Sequence, residues 1–113
     1  MTSGSVQLLK ADLFRALAHP TRIRLLELLC SGEHTVQALT EAVGVDQPVI
    51  SQHLAALRGQ QLVAVRRAGT RAHYTVADPG VAALLKISRE LLGRRLTGSR
   101  SMLRAIDRER RRA

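Results

Sequence analysis

Two short segments with helical spacing of apolar residues lie only a few residues apart, and this spacing restricts the fold of the 113-residue chain more than its composition does. The inward positions are Val36, Leu39 and Val43 in the first segment and Ile50, Leu54 and Leu57 in the second;. Gly44, which can adopt a left-handed conformation, ends the first segment. A short helix, a glycine turn and a second short helix predict a helix-turn-helix.

The residues at the ends of these segments agree with that prediction. Thr35 is placed to cap the start of the first helix. Asp46 is placed to cap the second, and Pro48 is tolerated in its first turn. We expect the second helix, called here the reading helix, to continue to about Gln60.

Two further helices are predicted before this pair. Val6, Leu9, Leu13 and Leu17 form one apolar stripe of a helix ending near Ala18;. Pro20 opens the next helix, whose apolar positions are Ile23, Leu26, Leu28 and Leu29 and which stops at Gly32, just past Cys30. His19, directly before Pro20, is expected to cap or wedge the turn between the two helices.

The apolar period changes after the reading helix. Leu62, Val63 and Val65, and then residues 73–76, are typical of two strands joined by a hairpin at Gly69;. Asp78 and Pro79 mark the start of a last helix with Val81, Leu84, Leu85, Ser88, Leu91 and Leu92 along one side. The predicted fold class is mainly α (α+β): a winged helix-turn-helix with four helices, a two-stranded β-hairpin wing and a C-terminal helix.

Composition supports a single small domain. Hydrophobic residues make up 45% of the chain, but Phe14 and Tyr74 are its only aromatic residues, so the core must be aliphatic;. We expect one domain over residues 1–97. Residues 98–113, rich in Arg and Ser, are expected to form a basic and flexible C-terminal tail with at most transient helix around Met102, Leu103 and Ile106.

The net charge of +9 suits a polyanionic partner;. Residues 94–112 hold eight arginines against Asp107 and Glu109, so six of the nine net charges lie there. No apolar stretch reaches the roughly 20 residues of a membrane span, and the N-terminal residues do not have the pattern of a signal peptide. We therefore expect a cytoplasmic protein with no membrane partner. Cys30 is the only cysteine, so no intramolecular disulfide is expected, in keeping with a reducing compartment;.

The outer face of the reading helix is polar but uncharged, as recognition of base edges in double-stranded DNA requires. The candidate base-reading residues are Gln47, Ser51, Gln52 and His53. Charges for phosphates are better supplied at the edges of such a face. The candidate backbone contacts are Thr35, Gln37, Arg58, Arg66, Arg67, Thr70 and Arg71.

With these motifs the chain resembles the ArsR/SmtB family of winged-helix repressors over roughly residues 11–92. The resemblance rests on residues 16–26 (ALAHPTRIRLL), 47–54 (QPVISQHL), 57–58, 62–63 and 66–74 (RRAGTRAHY). It implies a bacterial repressor that binds its operator without signal and releases it when an effector binds. It also implies a homodimer built from the first and last helices, with Val6, Leu9, Leu13, Val81, Leu84, Leu85 and Ser88 at the interface. The operator of such a dimer is a pseudo-palindrome.

The effector is less well defined, because the chain departs from the family at its sensing sites. Thr35 and Gln37 stand where family metal sensors often have two cysteines. The second family site matches at Asp78 but not at Gly80, Leu91 or Arg94. The remaining candidate metal ligands are His34, His73 and Asp78, a set that suits nickel, zinc or cobalt better than thiolate-seeking ions. No cofactor is required for DNA binding, and a partner protein is the alternative effector.

Three further points follow from the residues. Cys30 is expected to be a packed thiol, with redox sensing as the alternative. Gln61 stands where the family usually has a glycine, and Gly59 is expected to take over that turn. No motif for nucleophilic, metal-dependent or phosphate-binding catalysis is found, so the protein is not expected to be an enzyme.

Alternatives remain open at this point. The basic tail alone predicts a nonspecific nucleic-acid-binding protein, with little discrimination between sequences and a steep dependence on salt. The same tail also allows binding of RNA, of a membrane surface or of a partner protein. Activation of transcription is an alternative to repression, and the operator and regulated genes are not indicated.

Overall fold

The computed structural model describes the backbone of residues 2–97 and 100–112, and the side-chain surroundings of residues 4–97 and 104–112. The described ranges contain, in chain order, α1 (Thr2–Leu17), α2 (Pro20–Cys30), β1 (His34–Thr35), α3 (Val36–Val43), α4 (Gln47–Gly59), β2 (Val63–Ala68), β3 (Arg71–Val76), α5 (Gly80–Leu96) and α6 (Arg100–Arg112). The chain divides into two compact units, residues 1–82 and residues 83–113. This boundary falls inside α5, and the boundary between domain and tail at residue 97 stays a prediction.

The core of the first unit is aliphatic, as the composition predicted. Its fully buried side chains are Leu25, Leu26, Leu39, Ile50, Leu54 and Leu57. Burying a side chain of this size stabilises the folded state by roughly 1.5–3 kcal/mol. The predicted inward stripe of α4 is therefore confirmed, and this stripe turns the opposite face of α4 to solvent.

In α2 the buried positions differ from the predicted ones. Leu25, Leu26 and Leu29 are buried, whereas Ile23 is exposed and Leu28 is only half-buried. The prediction included Ile23 and Leu28 and omitted Leu25. Five of the eleven residues of this helix are aliphatic, so they fit more than one stripe;.

Local signals set the helix ends. Thr35 Oγ1 accepts a hydrogen bond from the Ala38 amide at 3.0 Å, so the predicted cap of α3 is confirmed;. Gly44 ends α3 in the left-handed region, with φ of 81°. Asp46 occupies the cap position of α4, but its side chain makes no capping hydrogen bond, which corrects the prediction for that residue.

The wing contains one strand more than predicted. β2 and β3 pair antiparallel from Val63 opposite Val76 to Ala68 opposite Arg71, around a two-residue turn in which Gly69 has φ of 63°;. β1, only two residues long, pairs with the other edge of β3, so the sheet order is β1-β3-β2. This pairing attaches the start of α3 to the wing.

The turn after α4 also differs from the prediction. Gly59 is the last residue of α4, and Gln61 itself adopts φ of 60°. The expectation that Gly59 takes over the turn is therefore wrong. The Leu62 amide donates a hydrogen bond to the Leu57 carbonyl at 3.0 Å. This closure of the helix end requires a left-handed residue directly before Leu62, and that residue is Gln61;.

Residues 100–112 form the helix α6, where the sequence predicted at most transient helix. Arg, Ala and Leu are strong helix formers, and this range contains neither Gly nor Pro;. The side chains of Met102 and Leu103, named in that prediction, lie outside the described ones. Ile106 is half-buried, and Arg104, Arg108, Arg111 and Arg112 are exposed.

Candidate DNA-binding surface

An open polar cleft of about 400 Å³ lies where the starts of α3 and α4 meet the wing. It is lined by Thr35, Val36, Gln37, Gln47, Ser51, Arg67, Thr70, Arg71, Ala72 and Tyr74. Seven of these were predicted as DNA contacts from the sequence. Residues distant in sequence thus come together on one surface, which is called here the wing cleft.

The reading helix contributes Gln47 and Ser51 to the wing cleft, one helical turn apart;. Both side chains are exposed, because the buried stripe of Ile50, Leu54 and Leu57 holds the opposite face of α4 in the core. An exposed amide and an exposed hydroxyl can donate to and accept from base edges. The predicted candidates Gln52 and Arg58 are exposed on α4 but do not line the cleft.

The wing cleft has a positive character. Arg67 and Arg71 line it, and none of its lining residues is acidic. Gln47 is the first residue of α4, so the positive end of this helix dipole lies on the same side;. Together these groups suit an anionic ligand such as a phosphate backbone.

Arg66 lies outside the wing cleft, and its guanidinium is paired with a carboxylate. Its Nη2 donates to Glu33 Oε1 at 3.0 Å, and His73 Nδ1 lies 3.5 Å from the same oxygen. Arg66 is absent from the lining of the wing cleft. Arg66 thus joins the wing to the loop before β1, and its predicted contact with the DNA backbone stays a prediction.

His53 also differs from its predicted place. Its ring is half-buried and is not part of the wing cleft. Arg22 Nε donates to His53 Nδ1 at 3.1 Å, and the ring centroids of His19 and His53 are 4.3 Å apart. The Nδ1 side of the ring therefore faces α2, and the predicted base-reading role of His53 stays a prediction.

Arg22 was not among the predicted functional residues, although it lies in the segment 16–26 on which the family resemblance rests. The signal available was the His19-Pro20-Thr21-Arg22 run, but nothing in that run indicates a partner 31 residues away. His19 itself was predicted as a cap, and this is confirmed: its Nδ1 accepts from the Thr21 amide at 3.1 Å.

Comparison with known proteins places the chain in a family. Residues 19–65 match the family described as bacterial regulatory protein, arsR family. Over 98 residues the chain is 42% identical to the uncharacterized HTH-type transcriptional regulator Rv0081 of Mycobacterium tuberculosis, covering 86% of each chain. The chain belongs to the ArsR family. This family consists of DNA-binding transcriptional regulators and not of enzymes.

Solved structures agree with this assignment. The crystal structure of Rv0081 has a TM-score of 0.78 at 41% identity and covers 82% of this chain and 94% of its own. The homodimeric winged helix-turn-helix domain Mb0332 of Mycobacterium bovis, solved by NMR, has a TM-score of 0.78 at 32% identity, with coverage of 87% and 91%. The predicted family and winged helix-turn-helix fold are confirmed.

A relative whose name refers to a metal is the probable mercury resistance operon repressor of Streptomyces lividans. It is 43% identical over 79 residues, which cover 70% of this chain and 63% of the relative. In this ArsR-family chain the three candidate ligands do not converge. The His34 ring is 2.8 Å from the Gly32 carbonyl, His73 faces Glu33, and Asp78 accepts from the Gly80 amide at 2.7 Å. The part of the chain that the structure describes holds no group of three such ligands.

Cys30 is exposed, which corrects the expectation of a packed thiol. Partial burial of the sulfur, and then the negative charge of Glu27, raise its pKa. A raised pKa lowers the thiolate fraction at neutral pH and therefore the reactivity of the thiol.

Among the described residues, none of the helices of this ArsR-family chain is both long and apolar enough to span a membrane.

Proposed function

We propose that this ArsR-family chain is a sequence-specific transcriptional repressor that binds double-stranded DNA through the wing cleft. The observation that supports this most directly is the convergence of Gln47 and Ser51 from α4 with Arg67 and Arg71 from the wing on one surface. The uncharged groups are placed for base edges and the arginines for phosphates. Thr35, Gln37 and Thr70 add polar groups at its border.

We further propose that the protein acts as a homodimer through α1 and α5. On α1, Val6 is 48% exposed, Leu9 is 66% exposed, and Leu8 and Phe14 are also exposed; on α5, Leu91 and Leu92 are exposed. Apolar helix faces of this kind are usually covered in a soluble protein. A two-fold dimer would hold its reading helices about 34 Å apart on a pseudo-palindromic operator.

The residues predicted at that interface differ in exposure. Leu13, Leu84 and Leu85 are half-buried, and Ser88 donates its hydroxyl to the Leu85 carbonyl at 2.8 Å. Val81 is only 3% exposed, because it lies in the core of the first unit. Val81 is therefore corrected from an interface residue to a core residue.

The test is selection of duplexes from a random pool by the full-length protein, followed by a gel shift of the selected duplex against a scrambled one. We expect selective binding, and we expect Gln47→Ala with Ser51→Ala to abolish the discrimination. Gln60→Ala, which removes an exposed amide at the end of α4 outside the cleft, is the matched control. Equal binding of both duplexes by the unchanged protein would contradict the proposal.

An effector would act by changing the relative pose of the two reading helices, and its class is tested on the same duplex. The gel shift is repeated with nickel, zinc or an oxidant added. Release of the duplex by nickel or zinc would identify a metal effector, whereas release by oxidant would point to Cys30. No release by any of them would favour a partner protein.

A second candidate function, nonspecific nucleic-acid binding, is favoured by α6. Arg104, Arg108, Arg111 and Arg112 are all exposed there. We propose that α6 adds sequence-independent phosphate contacts to those of the wing cleft. The alternative that α6 carries the whole function predicts the same affinity for the selected and the scrambled duplex.

A further inference from the structure

Arg22 connects the reading helix to the junction of α1 and α2. Its Nε donates to His53 Nδ1 on α4 at 3.1 Å, and its Nη1 donates to the Ala16 carbonyl, near the end of α1, at 3.4 Å. The third group is His19, the cap of α2, whose ring lies 4.3 Å from that of His53 at a tilt of 48°. We call Arg22, His53 and His19 the Arg22 latch.

The latch requires a particular protonation state. His53 Nδ1 accepts a hydrogen bond from a permanent cation, so Nδ1 must carry no proton and the ring must be neutral;. His19 Nδ1 likewise accepts, from the Thr21 amide. A proton on either Nδ1 would replace an acceptor with a donor that faces another donor.

We propose that the Arg22 latch holds α4 in the pose that binds DNA, and that it opens when His53 takes up a proton. This rests on the proposed function, because its readout is binding through the wing cleft. Ser51 precedes His53 by two residues on the same helix, so a shift of α4 at His53 moves Ser51 as well. Arg22 is thus a positioning residue and does not itself contact DNA.

The surroundings of His53 favour its neutral form. Burial, then the His19 ring, then the Arg22 guanidinium lower its pKa from the ordinary value of 6.5. Arg22 and His19 come from α2 and its cap. The other elements packed on α4 also carry charged groups, which are Lys10, Asp12 and Arg15 on α1, Glu41 on α3, and Arg66 and Arg67 on β2. All of them are exposed, and none is among the causes of the lowered pKa.

The sign of the effect follows from that direction. Because the folded pKa of His53 is lowered, the latch contributes stability above about pH 6.5 and loses it as pH falls toward the folded pKa;. Protonation of surface histidines in general adds positive charge and should strengthen binding to DNA. The latch predicts the opposite, weaker binding at low pH, and this difference in sign separates it from a general charge effect.

The first measurement needs no DNA. Nitrogen NMR of the histidine rings of the full-length protein should show His53 with a bare Nδ1 at neutral pH. Arg22→Gln, which removes the positive charge, should raise the pKa of His53. An unchanged pKa in that variant, or a proton on Nδ1 in the unchanged protein, would overturn the latch whatever the DNA result.

The second measurement is the affinity for the selected duplex as a function of pH. We expect the unchanged protein to lose about fivefold or more between about pH 7.5 and about pH 5.5. His53→Asn keeps an acceptor for Arg22 but does not titrate, so its loss should be less than about twofold. His34→Asn, at a histidine outside the latch, is the matched control and should behave as the unchanged protein does.

The outcomes separate the two proposals. Selective DNA binding with equal pH dependence in the unchanged protein and His53→Asn, or with tighter binding at low pH, overturns the latch alone. Absence of selective binding at every pH overturns the proposed function and, with it, the coupling of the latch to DNA. Thermal unfolding of His53→Asn and His34→Asn checks that each variant is folded at every pH at which its affinity is measured.

Discussion

At the scale of single residues, Gln61 is the one described non-glycine residue with positive φ, at 60°. A side chain in the left-handed region costs roughly 1–2 kcal/mol, which glycine avoids at some cost in chain entropy. We therefore expect Gln61→Gly to raise the free energy of unfolding by about 0.5–1 kcal/mol, measured by urea denaturation. Gln60→Gly, at φ of −97°, is the control and should lower it.

The two arginines that flank the wing hairpin should differ in their effect on DNA binding. Arg71 lines the wing cleft, whereas Arg66 is bound to Glu33. Arg71→Ala should weaken binding to all duplexes and reduce the slope of log affinity against log salt by about 0.9, the loss of one phosphate contact. Arg66→Ala should change the slope much less. Equal changes in both variants would contradict the assignment of the wing cleft.

At the scale of elements, much of the fold could be predicted because its signals are local. The stripe of α4, the cap Thr35 and the hairpin at Gly69 each depend on residues within about one turn or one hairpin. β1 was not predicted, because two residues carry no periodic pattern. α6 was not predicted because an Arg-rich composition was interpreted as disorder, although the same residues favour helix.

The candidate site was predictable in part for the same reason. Gln47 and Ser51 lie opposite an unambiguous core stripe, so their exposure follows from spacing. His53 lies between the core face and the outer face of α4, where spacing alone does not decide its direction. The bond from Arg22, on another helix, decides it. Val81 was misplaced because its burial depends on packing inside the first unit, which the apolar stripe of α5 does not indicate.

α6 gives a prediction of its own. Its exposed arginines at positions 104, 108 and 112 recur at four-residue steps, so they share one side of the helix;. Ending the chain after Thr97 should reduce the salt slope for a scrambled duplex by about 2 or more, because several phosphate contacts are lost. Replacing the three arginines by Gln should do the same while leaving the helix in place.

Discrimination between duplexes provides the check on this prediction. Because the wing cleft lies in the first unit, the ratio of affinities for the selected and scrambled duplexes should change little when α6 is removed. A collapse of that ratio in the truncated chain would show that α6 takes part in sequence recognition. An unchanged salt slope would show that its arginines do not reach phosphates.

At the scale of the whole molecule, DNA affinity should depend on the second copy of the chain. Two linked reading helices gain affinity because binding of the first raises the effective concentration of the second, often by 10² or more. Leu9→Glu places a charge on an exposed apolar position of α1, 66% exposed in the single chain, where a dimer would bury it;. Sedimentation should then show a monomer, and affinity for the selected duplex should fall about 100-fold or more.

Ala42→Glu, at an exposed position of α3 outside the two proposed dimer helices, is the control and should leave the dimer intact. The fall in affinity should also be smaller on a duplex cut to a single half-site, since one reading helix suffices there. A Leu9→Glu protein that stays dimeric would remove α1 from the interface. A monomer that keeps full affinity for the whole operator would instead contradict the two-fold mode of binding, because the linked second helix would then add nothing.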